Sequence, residues 1–456
     1  MIAPARLAAY EALRAVSDAR SDLPHALARA RRRLGDERDR ALAGEIATGT
    51  LRWQGAFDHV IAAFARRRLE KLDPEVLDIL RLTIFQLLHL DRVPAAAAVN
   101  DAVDLAGRAG KKSAATLVNA VLRRVVRDRD TLPLPPRPSD PEHSRDAALD
   151  YLSITLSHPR WLMSRWLDRY GFEAAERWAQ FNNAPAALTL RANRLRTTAE
   201  KLAAKLRTHG VETTRGEFAA DALIVCAGNP LLTPLASEGL FVVQDEASQL
   251  VGEFVNVPPG VTVLDACASP GGKTTQLAAA MQDDGLIVAC DVRATRIELL
   301  KRTVRASGAR SIRVVHADAS APLPFRAVFD YVLVDAPCSG LGTLRRDPDI
   351  RWRRSEAEFP ALADLQRNIL EHTAAVVRPG GCLVYSTCSS EPEENEDVID
   401  AFAVTHPAWR KRAASSPTPV GLARVIDSFG DLRTLPFRDN LEAFFAAVVV
   451  NAGPLR

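Results

Sequence analysis

Residues 236–456 carry six short apolar runs, with helical segments between most of them. The runs are VTVLDAC (261–267), LIVACD (286–291), IRVVHA (312–317), FDYVLVDA (329–336), CLVYSTC (382–388) and FFAAVVV (444–450). They are β-branched or apolar along their length and most break at a turn, as strands buried on both faces do. Strands that alternate with helices imply a parallel sheet with helices on both faces, an α/β fold. That choice also locates the chemistry, because open α/β sheets bind ligands outside the carboxyl ends of their strands.

The rest of the chain reads differently. Residues 1–130 are helical throughout, with apolar residues at three- and four-residue spacings in LAAYEALRAV, DHVIAAFARRRL, EVLDILRLTIFQLLHL and TLVNAVLRRVV. This pattern predicts an all-α bundle of about six or seven helices. Asp73-Pro74-Glu75 reads as a helix start, with Asp at the N-cap and Pro at the first position. The stretch 131–141 holds five prolines in eleven residues and cannot form a helix, so 131–149 is expected to be a linker. From 150 to 235 a helical stretch precedes short strands near Leu188–Arg191, Val211 and Ala222–Cys226, with a helix at Thr198–Thr208. This predicts a small α+β subdomain ahead of the α/β domain at 236–456. A length of 456 residues accommodates such a multi-domain plan.

Charge is unevenly placed. The net charge is +3, yet residues 1–130 hold 23 Lys+Arg against 17 Asp+Glu. Arg outnumbers Lys 51 to 8, which suits bidentate phosphate contacts and equally reflects a composition rich in Arg and Ala. Basic clusters stand at Arg31–Arg33, Arg66–Arg68, Lys111–Lys112 and Arg123–Arg124. Six cysteines without a C-x-x-C pair argue against a disulfide scaffold and a zinc site, so no metal is expected. No run of about 18 uncharged apolar residues exists, and the N-terminus lacks a signal-peptide pattern. A cytoplasmic monomer with reduced thiols and no membrane partner is the expectation.

Three strand ends carry a carboxylate. The segment Asp265–Thr274, DACASPGGKT, follows the first run and opens a helix. It matches neither G-x-G-x-x-G nor the Walker A spacing. What remains is a two-glycine turn that brings backbone N–H groups to a ligand at a helix N-terminus. Asp291, Asp318 and Asp335 close the next three runs, and a carboxylate at the second strand end suits the hydroxyls of a ribose. Together they point to a nucleoside without phosphates, and S-adenosylmethionine fits because acids can face its sulfonium and ammonium groups.

Two strand ends carry thiols, Cys338 in DAPC just after Asp335 and Cys388 in STC, fifty residues apart. Cytosine C5 is a poor nucleophile until a thiolate adds to C6, after which C5 can take a methyl group. Such chemistry needs a reactive Cys, a group that polarises the ring and a base. Cys226, Cys290 and Cys382 are expected to be small buried hydrophobes, and Cys267 to contribute backbone alone.

DACASPGGKTTQLA, DAPCSGLGTLRRDPDIRW and YSTCSSEPEENEDVI together resemble the RNA (cytosine-5)-methyltransferases of the Nop2/Sun type. The resemblance implies a Rossmann-like class I methyltransferase domain that uses S-adenosylmethionine. It makes Cys388 the nucleophile and Cys338 the residue that assists product release. Asp335 would contact the cytosine and Lys273 would line the pocket. Cys267, Ala268, Ser269, Pro270, Gly271, Gly272 and Lys273, with Asp291, Arg296, Asp318 and Asp335, would hold the cofactor. Residues 1–130, including ATGTLRW and TLVNAVLRR, resemble the NusB-type RNA-binding domain, and 150–235 resembles an RNA-recognition-like linker subdomain. This architecture is similar to that of bacterial members that act on 16S rRNA. Arg345, Arg346, Arg351, Arg353 and Arg354 would then contact RNA, whose target base must be unpaired or flipped out. Two departures stand out: Ser269 replaces the commoner Ala, and LEAFFAA (441–447) lacks a Gly before its Phe pair. The alternatives are a tRNA cytosine-5 methyltransferase and a non-catalytic NusB-like RNA-binding or antitermination factor.

Overall fold

The computed structural model describes residues 2–412 and 419–453. The chain divides into two compact units, Met1–Pro185 with Leu344–Arg354, and Ala186–Thr343 with Ser355–Arg456. The break falls at Pro185/Ala186 and not in the proline-rich stretch.

The first unit begins with seven helices, α1 (Pro4–Ser17), α2 (Leu23–Arg31), α3 (Glu37–Arg52), α4 (Gln54–Ala65), α5 (Pro74–His89), α6 (Ala95–Arg108) and α7 (Ala115–Arg127). Their apolar stripes close on one core; Val76, Ile79, Leu80 and Leu87 of α5 are all buried in it. Asp73 does precede α5, but its side chain makes no capping bond. It accepts instead from Lys111 Nζ at 2.9 Å. The prolines then pack back on the unit. Thr155 Oγ1 donates to the Pro135 carbonyl at 2.6 Å, and Arg137 forks onto both oxygens of Glu176 at 2.8 and 2.9 Å. Three more helices complete the stretch, α8 (Arg145–Asp150), α9 (Arg160–Tyr170) and α10 (Phe172–Asn183). Trp166 and Trp178 stack between the last two with ring centroids 4.1 Å apart.

Residues 344–354 also belong to this unit, and Arg351 anchors them. Its side chain is fully buried. It donates to the carbonyls of Arg52 (3.2 Å), Ser157 (2.9 Å), Asn182 (3.4 Å) and Leu344 (3.4 Å), and to Asn183 Oδ1 at 3.0 Å. Trp352 Nε1 donates to the Leu51 carbonyl at 2.6 Å, and Arg52 returns a bond to the Arg345 carbonyl at 3.0 Å. Burial pushes the Arg351 guanidinium down to about 9. Arg351, expected from the sequence to contact RNA, is instead buried, with its two terminal nitrogens donating to four carbonyls and to the Asn183 side chain. Arg345 is half-buried, stacks over Phe181 and donates to the Pro185 carbonyl at 2.6 Å. Arg346 and Arg354 are half-buried, whereas Arg353 is exposed and pairs with Asp349 at 2.9 Å.

The second unit holds two sheets. The smaller is antiparallel, in the order β2-β3-β1-β4, from β1 (Thr189–Ala192), β2 (Glu212–Arg215), β3 (Ala222–Ala227) and β4 (Phe241–Val243). Helix α11 (Ala199–Thr208) covers it through Leu202 and Leu206. The larger contains β5 (Thr262–Asp265), β6 (Leu286–Asp291), β7 (Ile312–His316), β8 (Phe329–Asp335), β9 (Val377–Thr387), β10 (Trp409–Lys411), β11 (Leu432–Thr434) and β12 (Phe444–Asn451). Its order is β10-β12-β9-β8-β5-β6-β7, with β11 on β12. Strands β5 to β9 are mutually parallel, and β12 runs antiparallel to β9. The order reverses beside β5, so the crevice for a ligand opens at the carboxyl ends of β5 and β8.

Period-two alternation divides the sheet's side chains between two cores. Val263, Ile287, Leu333 and Val384 share one core with Leu250, Leu277 and Leu300 of α12 (Glu246–Val255), α13 (Gly272–Ala280) and α14 (Ala294–Ser307). Leu264, Val288, Val332 and Leu383 join the helices Phe359–Ala374 and Glu396–Thr405 on the other face. Cys290 is buried as expected, but Cys382 is only half-buried and Cys226, at the register shift between β2 and β3, is exposed. No helix among the described residues is long and apolar enough to cross a membrane.

Replacing Arg351 with Ala strips buried carbonyls of their donor. The substitution is expected to cost roughly 3–5 kcal/mol, whereas Arg353→Ala, which takes one exposed partner from the buried Asp349, should cost about 1–3 kcal/mol. Denaturant unfolding of the two variants checks both values.

Candidate functional site

The site is assembled from four strand ends of the larger sheet. After β5 the chain turns sharply: Ala266 N–H donates to the Leu333 carbonyl at 2.9 Å, Ala268 N–H to the Cys290 carbonyl at 2.8 Å and Gly271 N–H to the Ala268 carbonyl at 2.7 Å. The loop is thus stitched to both neighbouring strands. Gly271 sits at φ +100°, and a Cβ there would come within 2.9 Å of Leu300. Only glycine suits that conformation and that space. Helix α13 starts at the next residue, so its free backbone N–H groups open toward the crevice. Ser269 Oγ donates to the Arg296 carbonyl at 3.1 Å, while the Arg296 side chain is exposed.

Asp265 is fully buried at the foot of this loop. Thr274 Oγ1 donates to its Oδ2 at 2.7 Å, and its Oδ1 has no hydrogen-bond partner. Burial pushes its carboxyl up to about 7. Asp291 ends β6, buried, and accepts from Arg293 N–H at 3.0 Å. Asp318 is exposed and turned onto its own loop: Ser320 donates to it from Oγ at 2.6 Å and N–H at 2.9 Å, which lowers its carboxyl. Burial pushes the Cys267 thiol up, in keeping with a backbone role.

One residue that sequence reasoning missed supports the loop from outside the sheet. Arg191 of β1 is buried and donates to the Gly272 carbonyl at 2.5 Å, Gln244 Oε1 at 2.7 Å and Thr275 Oγ1 at 2.8 Å. Burial lowers its guanidinium to about 10. The signal was an arginine inside an otherwise apolar strand, Leu190-Arg191-Ala192.

Beyond β8 and β9 lie the residues with reactive chemistry. Lys273 Nζ pairs with Asp335 Oδ2 at 2.7 Å, and Ser386 Oγ donates to Asp335 Oδ1 at 3.0 Å. Lys273 also lies over the Phe444 ring, 5.4 Å from its centroid. The parallel register sets Asp335 opposite Ser386. A few residues further on, Cys338 Sγ and Cys388 Sγ meet at 3.4 Å as free thiols. The hydrogen bond to Cys388, with burial, pushes the Cys338 thiol well up. Cys338 therefore stays protonated and has an S–H to offer its neighbour's sulfur. Gly342 closes the pair from one side: its N–H donates to the Cys388 carbonyl at 2.9 Å, and its carbonyl accepts from Ala443 N–H at 3.0 Å. A Cβ at Gly342 would lie 2.0 Å from the Ala443 carbonyl oxygen. Ala443, the residue before the Phe pair, thus packs directly on the glycine behind Cys388.

The structure brings together Cys338 with Cys388 and Lys273 with Asp335. It leaves Asp318 and Arg296 at the surface, without a bond from either side chain into the Gly271 turn. Among the described residues no group of three or more His, Cys, Asp and Glu side chains is arranged to hold a metal.

Comparisons with known proteins agree along the chain. Residues 254–450 match the family described as 16S rRNA methyltransferase RsmB/F, 3–127 match the NusB family, and 158–231 match the ferredoxin-like domain of RsmF/B-like methyltransferases. The ribosomal RNA small subunit methyltransferase B of Pseudomonas putida is 34% identical over 89% of this chain and 90% of its own length. That of Vibrio cholerae is 32% identical over 97% and 96%. The crystal structure of PH0851 is 28% identical, with a TM-score of 0.81 over 98% of this chain and 99% of its own.

The Asp265 carboxyl titrates near 7 when folded and near 4 when unfolded. Between those values the folded chain holds the extra proton, so raising pH lowers stability. The melting temperature is expected to fall between pH 5 and pH 8, and to fall less steeply in Asp265→Asn. Parallel pH slopes for the two proteins, followed by calorimetry, would refute this.

Proposed function

The chain belongs to the RsmB/F family of 16S rRNA methyltransferases, and we propose that it methylates C5 of one cytosine of small-subunit rRNA through a covalent bond between Cys388 and C6 of the ring. The observation that carries this reading is the 3.4 Å approach of two free thiols at adjacent strand ends, beside the Lys273–Asp335 pair.

The methyl donor of the family is S-adenosylmethionine, which when bound supplies an electrophilic methyl group. The residues present fit it. The Gly271 turn starts helix α13 with its free backbone N–H groups at the strand ends, and the unpartnered Asp265 Oδ1 is a buried acceptor at the foot of that loop. Asp291 stands at the neighbouring strand end for the ribose hydroxyls. Asp335 offers a carboxylate to the cytosine edge, held in one orientation by Lys273 and Ser386.

The Cys338 thiol is held well up by its bond to Cys388 and by burial, and its S–H can donate to the Cys388 sulfur. As a thiolate, Cys388 adds its electron pair to C6 and activates C5. After methylation the C5 proton goes to a base. The C5–H electrons rebuild the C5=C6 bond, and the C6–S bond breaks to return the Cys388 thiolate. The Cys338 S–H adjoins that sulfur and stabilises it as it leaves, which is the sense in which Cys338 assists release. The NusB-like unit supplies further RNA-binding surface, and its affinity should fall steeply with salt because phosphate contacts dominate.

Three measurements test this. With methyl-labelled cofactor and either unmethylated small-subunit rRNA or total tRNA, bisulfite mapping is expected to show one protected cytosine in the rRNA. Protection confined to tRNA would overturn the substrate. Cys388→Ala should lower turnover by about a thousandfold or more; retained turnover would remove it as nucleophile. Cys338→Ala should accumulate a protein–RNA adduct on denaturing gels, and freely released product would remove its role in release.

A further inference from the structure

Two residues follow the cysteines directly, Ser339 after Cys338 and Ser389 after Cys388, and both hang on one carboxylate. Glu394 is fully buried. Its Oε1 accepts from Ser339 N–H at 2.8 Å and Gln366 Nε2 at 3.0 Å. Its Oε2 accepts from Ser339 Oγ at 2.5 Å and Ser389 Oγ at 2.5 Å. Gln366 Nε2 also donates to the Pro337 carbonyl at 3.0 Å, and Tyr385 OH donates to the Glu394 carbonyl at 2.6 Å. The next residue continues the clamp: Asn395 Oδ1 accepts from Thr387 Oγ1 at 2.5 Å, and its Nδ2 donates to the Ser389 carbonyl at 3.1 Å.

We propose that Glu394 is the positioning residue that sets the separation of Cys338 and Cys388, by tying the loop after β8 and the loop after β9 to a single buried carboxylate. The four donors to Glu394 are two hydroxyls, a backbone N–H and an amide, so a buried negative charge is satisfied without a cation. Burying a charge is costly, and an apolar side chain could fill the same volume with equal or greater stability. What the carboxylate supplies and an apolar group cannot is simultaneous acceptance from both loops. The β8–β9 ladder runs to Asp335 and Ser386, and Ala336 N–H still bonds the Ser386 carbonyl at 2.8 Å. Cys338 and Cys388 lie past that point, where Glu394 ties the loops together beside the Ser339–Ser389 hydroxyl contact at 3.2 Å and the Gly342 N–H on the Cys388 carbonyl at 2.9 Å. The inference rests on the catalytic reading of the two thiols only for its effect on turnover. The separation itself can be read without it.

The test uses the full-length protein and phenylarsine oxide, which joins two close thiols through arsenic with loss of one water. Wild type is expected to bind one arsenical tightly, and Cys338→Ala or Cys388→Ala to lose that binding. Glu394→Ala should weaken arsenical binding by about tenfold or more, because the two thiols no longer share a fixed effective concentration. Its turnover should fall by about a hundredfold, with S-adenosylmethionine affinity unchanged as the control for folding. Glu394→Gln, which keeps one acceptor oxygen and the side-chain volume, should recover part of both losses and serves if the alanine variant does not fold. Wild-type arsenical affinity in both Glu394 variants would overturn the proposal, as would equal loss of arsenical and cofactor binding. If Cys388→Ala still methylates RNA while Glu394→Gln loses the arsenical, the positioning role stands and the covalent mechanism falls.

Discussion

The pairing of β8 with β9 is the constraint on which the site depends. These strands are parallel and adjacent although some forty residues separate them in the chain, and their register sets Asp335 against Ser386. A slip of one residue would turn every side chain of β9 to the other face. Val384 would leave the core it shares with Leu333, and Leu383 the one it shares with Val332. Two full cores therefore hold the register, and the register delivers Cys338 and Cys388 to the same place. The reactive pair is thus a by-product of hydrophobic packing until the last two or three residues, where polar contacts take over.

What was legible in the sequence follows from this division. The strands β5, β6, β8 and β9 could be read because they are largely buried on both faces, leaving near-continuous apolar runs, and the edge strand β7 from its β-branched run. Their carboxyl ends pointed to Asp265, Asp335, Cys338 and Cys388 without any coordinates. The short strands Phe241–Val243, Trp409–Lys411 and Leu432–Thr434 were not legible, since three residues carry no period. The start of β9 was also missed. Its first residues, Val377-Arg378-Pro379-Gly380-Gly381, precede the apolar run at 382–388, yet Val377 pairs with Phe329 ahead of a register shift before Tyr331. Strand β12 was expected to extend the sheet and does, but antiparallel to β9.

Polar residues were harder to read because a charged letter does not say whether its partner is water or backbone. Arg351 lies in a run of arginines that suggested RNA contact, and tertiary structure turns both terminal nitrogens of that side chain onto the carbonyls of Arg52, Ser157, Asn182 and Leu344 and onto Asn183. Glu394 lies in Glu391-Pro392-Glu393-Glu394, an acidic run that reads as solvated surface, and it is fully buried. In both cases the partners are distant in sequence, so local composition could not reveal them.

Arg191, Arg351 and Glu394 share a physical logic. Each is a buried ionic group facing several backbone or hydroxyl partners where a loop has left its ladder or helix. Irregular backbone exposes donors and acceptors that no neighbouring strand satisfies, and leaving them unpaired is costly. One guanidinium can satisfy several carbonyls and one carboxylate several donors, so a single side chain fixes a whole turn. A set of smaller polar groups could satisfy the same atoms separately, but it would not bind the turns to one another. Concentrating the bonds on one residue couples the loops, so that the Gly271 turn, the 344–354 segment and the two cysteine loops each hold or fail as a unit.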